Sequence, residues 1–344
     1  MKRFRAALVP ALVLLGSLAV PVAGSDSPYK VVARYQPGGD GGWDLMALDS
    51  PGHRLFVSRS TRVQVIDLDT GKLLAEIPDT PGVHGIALAP NLNRGYTTNG
   101  RDSTVTVFDM KTLAPIARIH LPARGPDAIL YEPASRRIFT FNGGSGNATA
   151  IDAVADTVVG QVDLGGRPEL GVSDGHGRVF VNLEDSSAVV AFDPRSLKVL
   201  SRWPLAPGSE PTGLAIDREH HRLFSTCANQ KMIVLDTENG HVVATPTIGS
   251  RVDGAAFDDG SDLAFSSNGD GTLTIVHEDA PDKFSIVANV ETQRGARTIA
   301  LDPKTHRVYL PTASYGEAPA ATPENPRPRP PMVPGSFTIL VLGR

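Results

Sequence analysis

One cysteine, Cys227, stands in a chain of 344 residues. No internal disulfide can brace such a chain, so its stability must come from packing. An excess of positive charge is also missing: the formal charge is −4 and the sequence pI is ≈ 6.1. That balance argues against a general nucleic-acid binder, which needs a basic face to neutralise phosphates. No segment sustains the three- and four-residue apolar spacing of a long helix. Nor is there a His-Glu-x-x-His, a pair of cysteines or a Gly-x-Ser-x-Gly, so the common signatures of zinc proteases and serine hydrolases are absent. Gly143-Gly144-Ser145-Gly146 is followed by no helix and reads as a flexible turn, not a phosphate cradle. What remains is an ordinary globular balance, 41% hydrophobic and 20% charged, enough to bury a sizeable core.

The first residues stand apart. Lys2, Arg3 and Arg5 precede an uncharged stretch, Ala6 to Ser25, rich in Leu, Val and Ala and ending in the small residues Ala23, Gly24 and Ser25. This is the layout of a secretory signal peptide over residues 1–25, which predicts a periplasmic or secreted protein without stable membrane insertion after cleavage. Pro10, Gly16 and Pro21 disfavour a regular spanning helix. Loss of the three basic residues would take the formal charge to −7.

From residue 26 onward one phrase recurs. A small-residue turn leads into a short apolar strand, then an acidic or Pro turn, then Arg with an apolar–aromatic pair. The second residue of the phrase falls at Asp44, His84, Asp127, Glu169, Thr212, Asp253 and Arg297, in steps of 40 to 44 residues. The Arg recurs at 54, 94, 137, 178, 222 and 307, and Leu263 replaces it in the sixth copy. A third strand follows, closing on Asp67, Asp109, Asp152, Asp193 or Asp236. A fourth comes after hairpin turns such as Asp69-Thr70-Gly71. Four short strands at this period predict an all-β, seven-bladed β-propeller over residues 26–344. The seventh copy stops after its third strand, and Tyr29 to Tyr35 is the strand available to complete it and remove an open sheet edge.

Gly95-Tyr96-Thr97-Thr98-Asn99, followed by Ser103-Thr104-Val105-Thr106-Val107-Phe108-Asp109, resembles the YVTN repeat of the YncE-like family of bacterial exported seven-bladed propellers. The resemblance runs along essentially the whole mature chain and implies the fold and a cell-envelope setting. It implies no catalytic residues, because the family shares none. One branch of the family is linked to DNA binding, which the acidic balance here disfavours. Only the second copy is close to the repeat, and Leu263 and Val341 stand where Arg and Asp are usual.

In a propeller the inner strand begins on the face where the second strand ends. The seven phrase residues should therefore ring the channel mouth, joined by the second-strand ends Arg59, Asn99, Asn142, Leu183, Cys227, Asn268 and Thr312. Asp44, His84, Asp127, Glu169, Asp253, Arg297, Arg59, Asn99, Asn142 and Asn268 are the polar members and make up the candidate ligand-binding ring. Asp44, His84, Asp127 and Glu169 are the candidate metal ligands, for Ca²⁺ or Mg²⁺ through oxygen or a transition metal through the imidazole. Grouped carboxylates also raise one another's pKa and can yield a general acid or base. The expected occupant is a small ligand or a cell-envelope partner protein, on a monomer. The Pro-rich stretch Glu317–Pro334 interrupts the seventh copy on the same face, as a lid or a tolerated loop. Elsewhere His53, His176, His221 and His306 fall in turns on the opposite face. The repeated Arg residues are expected to bridge blades, the third-strand Asp residues to cap turns, and Cys227 to be a packed thiol.

Overall fold

The computed structural model describes residues 29–322, 328 and 330–344. The leader expected over residues 1–25 lies outside the described residues. Among these, seven four-stranded antiparallel sheets succeed one another along the chain, one per repeat, and the protein is a seven-bladed β-propeller. Blade 1 is typical, with strands Met46–Asp49, Arg54–Arg59, Arg62–Asp67 and Leu73–Ile77 running from inner to outer edge. Blade 7 is made from both ends of the chain. Its inner strands Ala300–Asp302, Arg307–Thr312 and Thr338–Gly343 are completed by Lys30–Tyr35, which pairs Lys30 with Gly343 and Tyr35 with Ile339. No described helix is long and apolar enough to cross a membrane.

The apolar pattern explains the packing. Middle strands are covered on both faces by neighbouring blades, so Val105, Val107 and Phe108 are all fully buried in one strand. Outer strands meet solvent on one face, and Thr157–Asp163 accordingly alternates between exposed positions and half-buried or buried ones. The aromatic of the repeated Arg phrase is the seam residue: Phe56, Tyr96, Phe139, Phe180, Phe224, Phe265 and Tyr309 are all buried. These rings meet aromatics of the adjacent blade, as in Phe56–Phe108, Phe139–Phe192 and Phe224–Phe257, with centroids 5.7, 5.1 and 4.9 Å apart.

The repeated Arg clamps the next blade. Arg94 donates to the carbonyl oxygens of Ala153 and Val154 and pairs with Asp156 at 2.6 Å. Arg137 donates to the carbonyls of Pro194 and Arg195, and Arg178 to that of Thr237. Arg222 donates to the Pro281 carbonyl and pairs with Asp282 at 2.9 Å. The third-strand aspartates cap their turns as expected: Asp67 accepts from the Asp69 and Thr70 amides, and Asp152 from those of Val154 and Ala155.

Candidate functional site at the channel mouth

The phrase residues are released from the sheet ladder before they reach the channel. Pairing of inner with second strand is irregular between Val83 and Ile86, Pro126 and Ile129, Pro168 and Gly171, Pro211 and Leu214, and Val252 and Gly254. Each break contains one ring residue: His84, Asp127, Glu169, Thr212 or Asp253. Such irregularities re-aim a side chain that the ladder would otherwise hold. Asp44 and Arg297 precede the first paired residues of their blades.

Hydroxyl and amide groups, from second strands in all but blade 7, then fix the ring backbone. Ser58 Oγ accepts the Asp44 amide at 3.0 Å, and Thr98 Oγ1 donates to the Asp127 carbonyl of the next blade. Asn182 reaches the Thr212 carbonyl at 3.1 Å, Ser267 reaches that of Arg297, and Thr298 closes the circle on the Asp44 carbonyl at 2.9 Å. Inner strands crowd together here. A Cβ at Gly85 would meet the Asp127 carbonyl oxygen at 2.8 Å, so His84 is followed by the one residue that fits.

The ring side chains form two charge groups and one used-up hydroxyl. His84 Nδ1 lies 2.6 Å from Asp44 and 3.7 Å from Asp127, and the three ligand atoms fall within 4.8 Å of one another. Arg297 lies 2.5 Å from Asp253 and 3.4 Å from Asp44, so it joins the last two blades to the first. Glu169 is not part of the imidazole cluster. Arg167 stands between it, at 3.5 Å, and Glu184, at 2.9 Å, so the metal-compatible set shrinks from four residues to Asp44, His84 and Asp127. Thr212 spends its hydroxyl on the Val252 carbonyl at 3.3 Å.

Electrostatics follow from this crowding in a half-dry funnel. Burial, then the Asp44 carboxylate, pushes Asp127 up to about 6. Burial, then Asp127 and Glu184, pushes Glu169 up to about 8. Burial also raises Asp253, against the lowering pull of Arg297. The hydrogen bond to Asp44 holds the His84 imidazolium above its ordinary range. The mouth therefore carries groups that exchange protons near neutrality.

The second-strand ends do not join it. Arg59 is fully buried, its guanidinium bonded to Gln64 Oε1 at 2.6 Å and to the carbonyls of Gly38, Gly39, Asp40 and Gly41, with Phe337 stacked 3.7 Å below. It pins the strand-to-strand connection beside the mouth. Asn99, Asn142 and Asn268 are fully buried staples between second and third strands. Their amides donate to Thr104 and Thr106, to Asn147 and Thr149, and to Thr272 and Thr274. Every donor on these amides is spent inside the blade, so the expectation that they face a ligand fails. Cys227 is a packed thiol, pushed to about 11 by burial.

A cavity of about 1000 Å³ that the repeat does not foretell lies beside the ring, lined by Arg251, Arg294, Arg297, Tyr315, Pro328 and Pro330 among others. The Pro-rich stretch thus forms part of its wall. A bridge between Tyr315 and Met332, with the Gly316 amide donating to the Pro331 carbonyl at 2.9 Å, ties its base. Residues 323–327 and 329 of that stretch lie outside the described residues. A signal for the missed arginines was available. Two residues before the ring position the repeat has Gly42, Gly82, Gly125 and Gly295, but Arg167, Glu210 and Arg251 in blades 4 to 6.

Two curated proteins align to part of this chain: YncE of Salmonella typhimurium and YncE of Salmonella typhi. Each is 33% identical over 79 residues. The chain is similar to YncE. The match spans 22% of the chain and 22% of each relative, and both relatives are described as uncharacterized. No family model matches the chain. The YncE-like character therefore rests on that stretch and on the seven-bladed ring, and it brings no activity with it.

Proposed function

We propose that this protein is an exported binding propeller, periplasmic or secreted, that holds a small anionic ligand at the channel mouth. The observation that carries the reading is the juxtaposition, on one face, of the Asp44–His84–Asp127 arc and the cavity lined by Arg251, Arg294 and Arg297. Guanidinium groups recognise carboxylate or phosphate oxygens in a fixed fork. The arc supplies a proton, or a divalent cation that bridges protein and ligand. An imidazole with two carboxylates suits a transition metal better than Ca²⁺ or Mg²⁺, which prefer oxygen ligands alone.

The test is calorimetry of the full chain with citrate and inorganic phosphate, with and without Mn²⁺ or Ca²⁺. Elemental analysis of protein recovered from its native host accompanies it. Binding that Arg294→Ala weakens at least tenfold, and a cation dependence that Asp127→Ala removes, support the reading. No binding of either anion, or binding indifferent to both substitutions, overturns it.

A second reading is favoured by one observation. Asp127 at about 6 and Glu169 at about 8 lie where a general acid and a general base work at neutral pH. This supports a metal-dependent lactonase- or lyase-type enzyme, tested by turnover of lactones with Mn²⁺ or Ca²⁺ present. A bell-shaped rate profile that collapses in Glu169→Gln would favour it over simple binding.

A further inference from the structure

A second group of titratable side chains lies on the face away from the mouth, at the seam between blades 5 and 6. Asp217 ends the inner strand Pro211–Asp217 of blade 5, and His220 sits in the turn that follows. Glu278 comes from the third strand of blade 6, Thr272–Ala280. His220 Nδ1 is 2.7 Å from Asp217 Oδ2 and 3.5 Å from Glu278 Oε1, and the three ligand atoms lie within 4.8 Å of one another.

The repeat is its own control here. The amide of Glu278 donates to the Asp262 carbonyl, just as Leu68, Met110, Ala153 and Thr237 donate to His53, Asn93, Arg136 and His221. The equivalent buried positions thus carry leucine, methionine, alanine and threonine, while blade 6 buries a carboxylate. Its side chain is 1% exposed, and no backbone or side-chain donor bonds either oxygen; the groups beside it are the Asp217 carboxyl and, at 3.5 Å, the His220 imidazole. A buried carboxylate without a donor is strongly unfavourable unless something compensates it. Arg222 gives it no hydrogen bond, being committed to the Pro281 and His221 carbonyls, Asp236 and Asp282. The matching turn residues of the other blades are Gly52, Leu92, Ser135, His176, Ser261 and Thr305, so a histidine recurs at this position in blade 4, where its Nδ1 lies 2.8 Å from the Asp174 carbonyl oxygen. What sets blades 5 and 6 apart is that the turn histidine of one meets the buried carboxylate of the other. Asp217 also caps the Glu219 and His220 amides.

We propose that Asp217, His220 and Glu278 form a divalent transition-metal site of the Zn²⁺ type that staples blade 5 to blade 6. One nitrogen and two carboxylate oxygens are a common ligand set for such ions. Ligand atoms of a tetrahedral ion with bonds of about 2 Å lie roughly 3.3 Å apart, close to the separations seen. His220, a third exposed, leaves a route from solvent and an open position for water. Imidazole and carboxylate ligands bind a metal only without their protons, so affinity should rise with pH.

The test uses the full chain carrying His84→Ala, so that the mouth cannot contribute. After chelator treatment, equilibrium dialysis against Zn²⁺ should leave one ion per chain, and added Co²⁺ should give visible d–d absorption. Glu278→Gln in the same background should lose both signals, as should Glu278→Leu, which restores the residue of blade 1 and is expected to fold at least as stably. Zn²⁺ should raise the unfolding temperature of the parent and leave that of Glu278→Gln unmoved. No retained Zn²⁺ in the parent, or the same stoichiometry in both Glu278 variants, would show that the acids merely share a proton and would overturn the proposal.

Discussion

The two faces of the ring treat the repeat differently. On the face away from the mouth, blades 1 to 5 perform one operation with one residue, as Arg54, Arg94, Arg137, Arg178 and Arg222 each reach into the next blade. At the mouth, the equivalent position holds Asp44, His84, Asp127, Glu169, Thr212, Asp253 and Arg297, with little common chemistry. A part that serves one seam after another is repeated, because those seams present the same packing problem. A part that serves the molecule as a whole is free to differ. The lesson extends to exceptions: Glu278 draws notice on the repetitive face because its equivalents are uncharged.

Four substitutions test this division, from the largest effect to the smallest. Arg59→Ala should cost about 3 kcal/mol or more in chemical denaturation, because four backbone carbonyls lose their donor in a buried site. A loss below about 1 kcal/mol would return Arg59 to the binding ring. Arg222→Leu, which copies Leu263 of blade 6, should cost about 2 kcal/mol through its lost carbonyl and carboxylate partners, with anion binding at the mouth intact.

Glu169→Gln sharpens the comparison through pH. The folded-state pKa of Glu169, about 8, lies above its ordinary 4.5, so the folded protein holds this proton more tightly. Its stabilising contribution is complete below about 4.5 and is lost as pH rises through about 8. Wild type should therefore unfold a few degrees below Glu169→Gln at pH 9 and level with it at pH 4, read by thermal melts across the range. A constant difference would mean that the carboxyl is not proton-holding. His84→Ala should have the smallest effect on stability, within about 0.5 kcal/mol at neutral pH, since the side chain is 40% exposed and clamps no neighbouring backbone. It should nevertheless abolish cation-dependent anion binding.

Much of the fold was legible because the repeat states it several times. The period set the blade number, the buried aromatic marked each seam, and the unfinished seventh copy required Lys30–Tyr35 as its outer strand. The site was only partly legible. Asp44, His84, Asp127, Asp253 and Arg297 converge as their spacing predicted. Asn99, Asn142 and Asn268 have the right spacing but turn inward, where Thr106, Thr149 and Thr274 offer hydrogen bonds that the channel does not. Glu169 has the right position, yet Arg167 holds it aside.

Sequence by itself therefore determined the seven blades, the closure and the identity of the ring positions, because these follow from period and strand alternation, which are local properties. Tertiary structure alone decided which polar residues face the channel, which are spent inside a blade, and that Glu278 meets His220 across a seam. Those outcomes depend on distances between residues some forty or more apart in the chain, or on competition for hydrogen bonds that spacing cannot express.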